Sequence, residues 1–243
     1  MMRLGILICD QVQEKLQPEF GDYPEMFLDI IERVDPQVEV KFFSAIDREL
    51  PTDINACDVY MTSGSRWGVN DDNVWIHELE DFIRQLYESG KGFVGICFGH
   101  QLIAKALGGR VNKSNKGWAI GVAFSEIVNP RNWMVPPQVK LDLVVSHQDQ
   151  IVELPPHAQV LVSNDFCPFS LIQVNNHFLG IQGHPEFSRA YSLALMNTRK
   201  DLIPAAVIRI GANTFTHEVD DILAMKWLLN FLQQTITSES SGE

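Results

Sequence analysis

Ten residues, Gly92-Phe93-Val94-Gly95-Ile96-Cys97-Phe98-Gly99-His100-Gln101, constrain the fold of this chain more than any other segment. They read as a buried strand, a sharp turn and the start of a helix. Gly95-x-Cys97-x-Gly99 has the spacing of a nucleophile elbow with cysteine in place of serine. A nucleophile on such a turn brings its neighbours close to other backbone, where only residues without Cβ fit. The helix that follows, Gln101 to Leu107 before Gly108-Gly109, points its N-terminus at the sulfur. That partial positive charge favours the thiolate, the reactive form. Taken alone, the run also fits a buried strand ending in an inert core cysteine, a common place for a free thiol.

The elements on either side place this strand in an α/β sheet. Arg3 to Cys9 reads as a short buried strand, and Tyr23 to Arg33 carries Met26, Phe27, Ile30 and Ile31 on one helical stripe. Val38 to Phe43 and Asp58 to Met61 read as strands, and Trp75 to Ser89 as a helix stopped by Gly90. This alternation predicts a doubly wound, mostly parallel open sheet with flanking helices. Further on, Gly121 to Ile127, Val139 to Val145 and Val160 to Val162 read as short strands. Phe169 to Val174 and His177 to Gln182 form a hairpin turning at Asn175-Asn176. These predict an antiparallel edge on the parallel sheet. A strong closing helix runs from Asp220 to Gln233. With 243 residues and no internal repeat or linker, the expectation is one domain, 1–237, and a flexible tail, 238–243.

Charge and cysteine usage narrow the partners. The net charge of −12 offers no basic stripe for phosphates, so neither nucleic acid nor an anionic membrane is expected. Cys9, Cys57, Cys97 and Cys167 form no CxxC pair, so no metal site is expected. The apolar stretch near the N-terminus is short and reads as a first strand rather than a signal peptide, and no apolar run is long enough to span a bilayer. A cytoplasmic location, where thiols stay reduced, is the expectation.

A cysteine nucleophile needs a base, and the base an orienting group. Of the seven histidines, His184 follows a strand in Gln182-Gly183-His184-Pro185-Glu186. Strand ends are where sites assemble in open α/β sheets. Pro185 forces His184 toward extended geometry, and Glu186 is placed to turn back to the imidazole and hold its tautomer. Cys97, His184 and Glu186 are therefore the candidate triad.

Gly95-x-Cys97-x-Gly99-His100-Gln101 and Gly183-His184-Pro185-Glu186 together resemble the two signatures of class I, triad-type glutamine amidotransferases. The resemblance covers nearly the whole chain and is strongest to the glutaminase domain of GMP synthase and to free-standing relatives of it. It implies that Cys97 attacks a glutamine side-chain amide, with His184 as base and acid and Glu186 orienting it. The oxyanion donors would be the N–H of Phe98, directly after the nucleophile, and that of Gly64 in the loop after Tyr60-Met61. Gln101 would contact the bound glutamine. Ser146 and His147 match a segment whose backbone holds the amino-acid end; an ordinary polar turn is the alternative reading. No cofactor is implied.

The chain also departs from the family pattern. The usual Gly-Gly-Pro of the oxyanion loop is Ser63-Gly64-Ser65, and a longer loop with Arg66, Trp67, Asp71 and Asp72 follows. That loop either walls the pocket or packs as ordinary surface, with Trp75 in the next helix. No ATP-binding module is expected after the closing helix. The main expectation is hydrolysis of glutamine to glutamate and ammonia through a γ-glutamyl-cysteine thioester, for a separate synthetase subunit that accepts ammonia. The first alternative is a stand-alone γ-glutamyl peptide or amine hydrolase. A glutamine-sensing regulatory module is the non-enzymatic alternative.

Overall fold

The computed structural model describes residues 1–239. Eleven strands and seven α-helices alternate in its first half and segregate in its second. In chain order they are β1 (Arg3–Ile8), α1 (Gln17–Phe20), α2 (Tyr23–Val34), β2 (Glu39–Ser44), β3 (Val59–Thr62), α3 (Val74–Ser89), β4 (Phe93–Ile96) and α4 (Phe98–Ala106). Then come β5 (Arg110–Lys113), β6 (Ala119–Ile127), β7 (Lys140–His147), β8 (Asp149–Glu153), β9 (Ala158–Ser163), β10 (Leu171–Val174) and β11 (Phe178–Ile181). The helices α5 (Arg189–Thr198), α6 (Ala205–Thr214) and α7 (Asp221–Glu239) follow. Since α7 extends to Glu239, only 240–243 of the expected tail lie outside the described residues.

Nine strands form one sheet in the order β2-β1-β3-β4-β11-β10-β9-β6-β7, and β5 pairs with β8 apart from it. The sheet is parallel from β2 to β11 and antiparallel from β11 to β7. The antiparallel portion is thus a full half of a mixed sheet, wider than the edge expected. Strand periodicity divides the core between the two faces of the parallel half. Ile6, Met61, Val94 and Ile96 point to one face, under α2 and α7; Leu7, Tyr60 and Phe93 point to the other, under α3 and α4.

Local signals set the helices. Asp22 caps α2 and Glu25 reaches back to the Asp22 N–H, completing a capping box, while Pro24 takes a first-turn position that lacks an intrahelical N–H partner. The stripe Met26, Phe27, Ile30 and Ile31 is buried. Asn175, at φ +52°, turns the β10–β11 hairpin as expected. This hairpin inserts β11 beside β4, pairing Gly180 with Gly95 and Ile181 with Ile96. The first residues beyond those two strands, Cys97 and Gln182, therefore emerge side by side at the carboxyl ends of adjacent parallel strands, where α/β sheets bind ligands.

Candidate active site

Cys97 sits between β4 and α4 with φ +49° and ψ −90°, a backbone that L residues rarely adopt. The glycines around it are explained by close approach. A Cβ on Gly95 would lie 2.4 Å from the Gly99 carbonyl carbon, and one on Gly99 would lie 1.7 Å from Thr62 Oγ1. The helix can cross the strand this closely only because both side chains are hydrogen. The inert-core reading of Cys97 does not account for this strain, which is typical of a functional turn.

His184 follows β11, its N–H bonded to the Val144 carbonyl in β7. Its Nδ1 lies 2.7 Å from Glu186 Oε1, and both side chains are buried. That bond leaves Nε2 for the sulfur. Burial disfavours a charged imidazole, but Cys97 and Glu186 on either side outweigh it and hold the His184 pKa above its usual range. The imidazole therefore keeps its proton beside the sulfur, with Nε2 placed to give it up. Burial pushes the Cys167 thiol up to about 11, and raises the Cys9 and Cys57 thiols as well, so those three stay protonated at neutral pH.

Two supports for the triad carried no motif signal. Phe187 stacks face to face on the His184 ring at 4.0 Å and 4°, and is itself wedged by Tyr191 and Tyr23. Gln182 donates from Nε2 to Cys97 Sγ at 3.4 Å, while its Oε1 accepts from Gln101 Nε2 at 3.1 Å. Gln101 also donates to the Asp149 carbonyl at 2.8 Å. Gln101 thus borders the cleft but also anchors the relay that aims Gln182 at the sulfur. Strand–motif adjacency (Gln182 lies two residues before His184) was the one available clue.

Gly64 approaches both catalytic candidates: a Cβ there would lie 2.7 Å from His184 Cε1 and 3.6 Å from Cys97 Cβ. Among the described residues, neither the Gly64 nor the Phe98 N–H donates a hydrogen bond. Ser63, in the place of a family glycine, ties this loop to β1: its Oγ accepts from Cys9 N–H at 2.8 Å and donates to the Gly64 carbonyl. Asp10, buried at 4% exposure, then receives Arg66 through both its backbone N–H and its guanidinium. Arg66 is thus a strut for the loop. Trp75 belongs to α3 and stacks on Phe98 at 5.3 Å.

An open cleft of about 320 Å³ runs over the sulfur, walled by Arg66, Trp67, Gly68 and Asp71 on one side and by Trp118, Ser146, His147 and Arg199 on another. Asp72 instead pairs with His77 outside it. His147 faces Asp149 O through Nδ1 at 3.0 Å, and burial holds it neutral, with its pKa lowered to about 4. The Ser146 side chain accepts from Arg199 Nη1 at 2.8 Å. Among the described residues no three His, Cys, Asp or Glu side chains are placed to hold a metal ion, and no helix is long and apolar enough to cross a membrane.

Residues 31–193 match the class-I glutamine amidotransferase family, well over half of the chain. The chain belongs to that family. It is 34% identical to gamma-glutamyl peptidase 4 of Arabidopsis thaliana over 179 residues, 70% of each chain. Gamma-glutamyl peptidase 3 of the same plant matches at 27% over 95% of each chain. A GMP synthase of Photobacterium profundum matches over a shorter stretch, 42% of this chain and 21% of that one, so the similarity to the peptidases is the more extensive. A glutamine amidotransferase structure from Thermotoga maritima superposes with a TM-score of 0.72 over 97% of both chains at 19% identity, which bears on the fold. The chain is accordingly an enzyme, an amide hydrolase of the class I type.

Proposed function

We propose that this enzyme cleaves γ-glutamyl amides, γ-glutamyl peptides included, through a thioester on Cys97 and without handing ammonia to a synthetase. One observation carries the reading. The cleft that exposes Cys97, beside the His184–Glu186 pair, continues past the sulfur to Trp118, Arg199 and Leu202. Such room suits a leaving group larger than ammonia. The similarity to two gamma-glutamyl peptidases supports the same choice.

The chemistry follows from the geometry. The Cys97 thiolate adds to the γ-carbonyl carbon, and the oxyanion that forms is received by the N–H groups of Gly64 and Phe98. His184 gives its Nε2 proton to the leaving nitrogen as the C–N bond breaks. The product amine departs and leaves a γ-glutamyl thioester. His184, now neutral, takes a proton from water as the oxygen attacks the thioester. The C–S bond breaks, the thiolate returns and glutamate leaves. Glu186 keeps the Nδ1 proton throughout and so fixes the tautomer.

The test is glutamate release from glutamine and from a set of γ-glutamyl dipeptides, measured alongside the amine product. Cys97→Ser is expected to lower kcat by roughly 10³-fold or more. Dipeptide cleavage well above glutamine hydrolysis supports the proposal. Glutamine turnover alone points to an amidotransferase subunit with a separate acceptor. No turnover of either, or a fully active Cys97→Ser variant, overturns it.

A further inference from the structure

Among the described residues lining the cleft, Arg199 is the cation with no carboxylate shown beside it. The Arg66 guanidinium is committed to Asp10, and Lys113 lies in the field of Asp149. Arg199 instead donates to a neutral acceptor, Ser146 Oγ, at 2.8 Å, and lies 5.9 Å from the centre of the Trp118 ring. Among the described residues it makes no ion pair. It is half-buried at the end of α5. A guanidinium held by a hydroxyl and an aromatic face keeps its remaining N–H donors in a fixed fork, the geometry that suits a carboxylate.

Its position decides which carboxylate. Gln101, Gln182 and the Asp149 backbone are bonded to one another, and Gln182 touches the sulfur. A small recess off the cleft is lined by Ser65, Ser146, His184, Tyr191 and Arg199, so the His184 ring and the Arg199 side chain share one recess. The leaving nitrogen takes its proton from His184, so it departs on the Arg199 side. In an α-amino acid the carboxylate carbon stands two bonds, ~2.5 Å, from that nitrogen, and a carboxylate one residue further along stands ~3.5 Å beyond it.

We infer that Arg199 selects substrates whose leaving group is an α-amino acid with a free carboxylate next to the scissile nitrogen. The γ-glutamyl amino acids are then preferred over glutamine, over γ-glutamyl amines and over peptides whose carboxylate is displaced or blocked. This rests on the γ-glutamyl hydrolase reading above and assigns the side chain that sets its specificity.

The experiment compares γ-glutamyl-alanine with γ-glutamyl-alanine amide, which differ in the charge of one group. The wild-type enzyme is expected to favour the acid by ~10–100-fold in kcat/KM, the range of a charge-assisted pair. In Arg199→Met that ratio falls to within about 3-fold of unity, and in Arg199→Lys, which keeps the charge but loses the fork, it lies between. A wild-type ratio near unity overturns the inference. So does an unchanged ratio in Arg199→Met with both rates lowered together, which would make Arg199 a support or a holder of the glutamyl end. If Arg199→Met does not fold, the wild-type and Arg199→Lys ratios decide. Failure of the underlying reading looks different: no γ-glutamyl compound is turned over by the wild-type enzyme at all.

Discussion

Gly64 shows how narrowly the site is set at the level of one residue. No unusual φ forces glycine there; what excludes a side chain is the His184 ring, 2.7 Å from where a Cβ would stand. The ring has nowhere to go, pinned by the Glu186 bond at 2.7 Å and stacked on Phe187 at 4.0 Å. Gly64→Ala must therefore push the imidazole or the loop out of line. A displacement of about 1 Å costs on the order of 10²-fold in rate. We expect kcat on the best γ-glutamyl substrate to fall by about that factor, while the melting temperature moves by only a few degrees. Comparable loss of stability and activity would instead make Gly64 a folding residue. His184 and Glu186 were readable from a five-residue motif because the strand end, the proline and the carboxylate are contiguous. Asp10 and Arg66 were not, because 56 positions separate them and only the β1–β3 pairing brings them together. Arg199 was silent for the same reason: its partners Ser146 and Trp118 lie on other elements.

Between elements, the β4–α4 elbow depends on a crossing that Gly99 permits. Replacing it by alanine gains helix propensity, about 1 kcal/mol. The added Cβ would lie 1.7 Å from Thr62 Oγ1 and 2.9 Å from Thr62 Cβ, so α4 must lift off β3. Overpacking of this kind costs about 1–3 kcal/mol, and the crowding here is at the severe end, so destabilisation wins. Urea unfolding of Gly99→Ala should show the loss, and the double variant Thr62→Ala/Gly99→Ala should recover part of it, since Oγ1 is gone and Cβ remains. Strict additivity of the two changes would mean that the contact is not the cause. The elements themselves differ in how plainly they read. The parallel strands are short apolar runs between helices with clear stripes, and the expected boundaries lie within a few residues of those observed. The β5–β8 pair was invisible, because Arg110-Val111-Asn112-Lys113 is polar on one face and short, and its partner strand begins just after the turn that follows β7. The mixed character of the sheet was underestimated for a related reason. Each antiparallel strand is legible singly, but that β6 and β7 continue the same sheet through β9 is a matter of long-range pairing.

For the molecule as a whole, two buried histidines tie stability to pH. Burial holds His100 at about 3 and His147 at about 4, both below the ~6.5 of an unfolded chain. Between those values and 6.5 the unfolded state takes up protons that the folded state refuses. The contribution of these two histidines is therefore full above about pH 6.5 and falls as the pH drops, by about 1.4 kcal/mol per unit for each once well below it. Asp142 and Asp149 work in the opposite sense, their carboxyls raised chiefly by burial, and so offset part of that fall. His184, raised rather than lowered, has its own linkage above 6.5 and leaves this window untouched. Urea midpoints measured from pH 7 to 5 should fall steadily. His100 packs against Gly180 inside the sheet core, away from the cleft, so His100→Leu removes one titrating group and leaves the cleft wall in place. The variant should lose about 1.4 kcal/mol per unit of slope below pH 6. An unchanged slope would mean that His100 is already protonated in the folded state. His147 also links acid unfolding to the site: it ends β7 directly after Ser146 and lines the cleft, so its protonation strains the wall that holds Arg199, and discrimination by the cleft should weaken before the fold is lost.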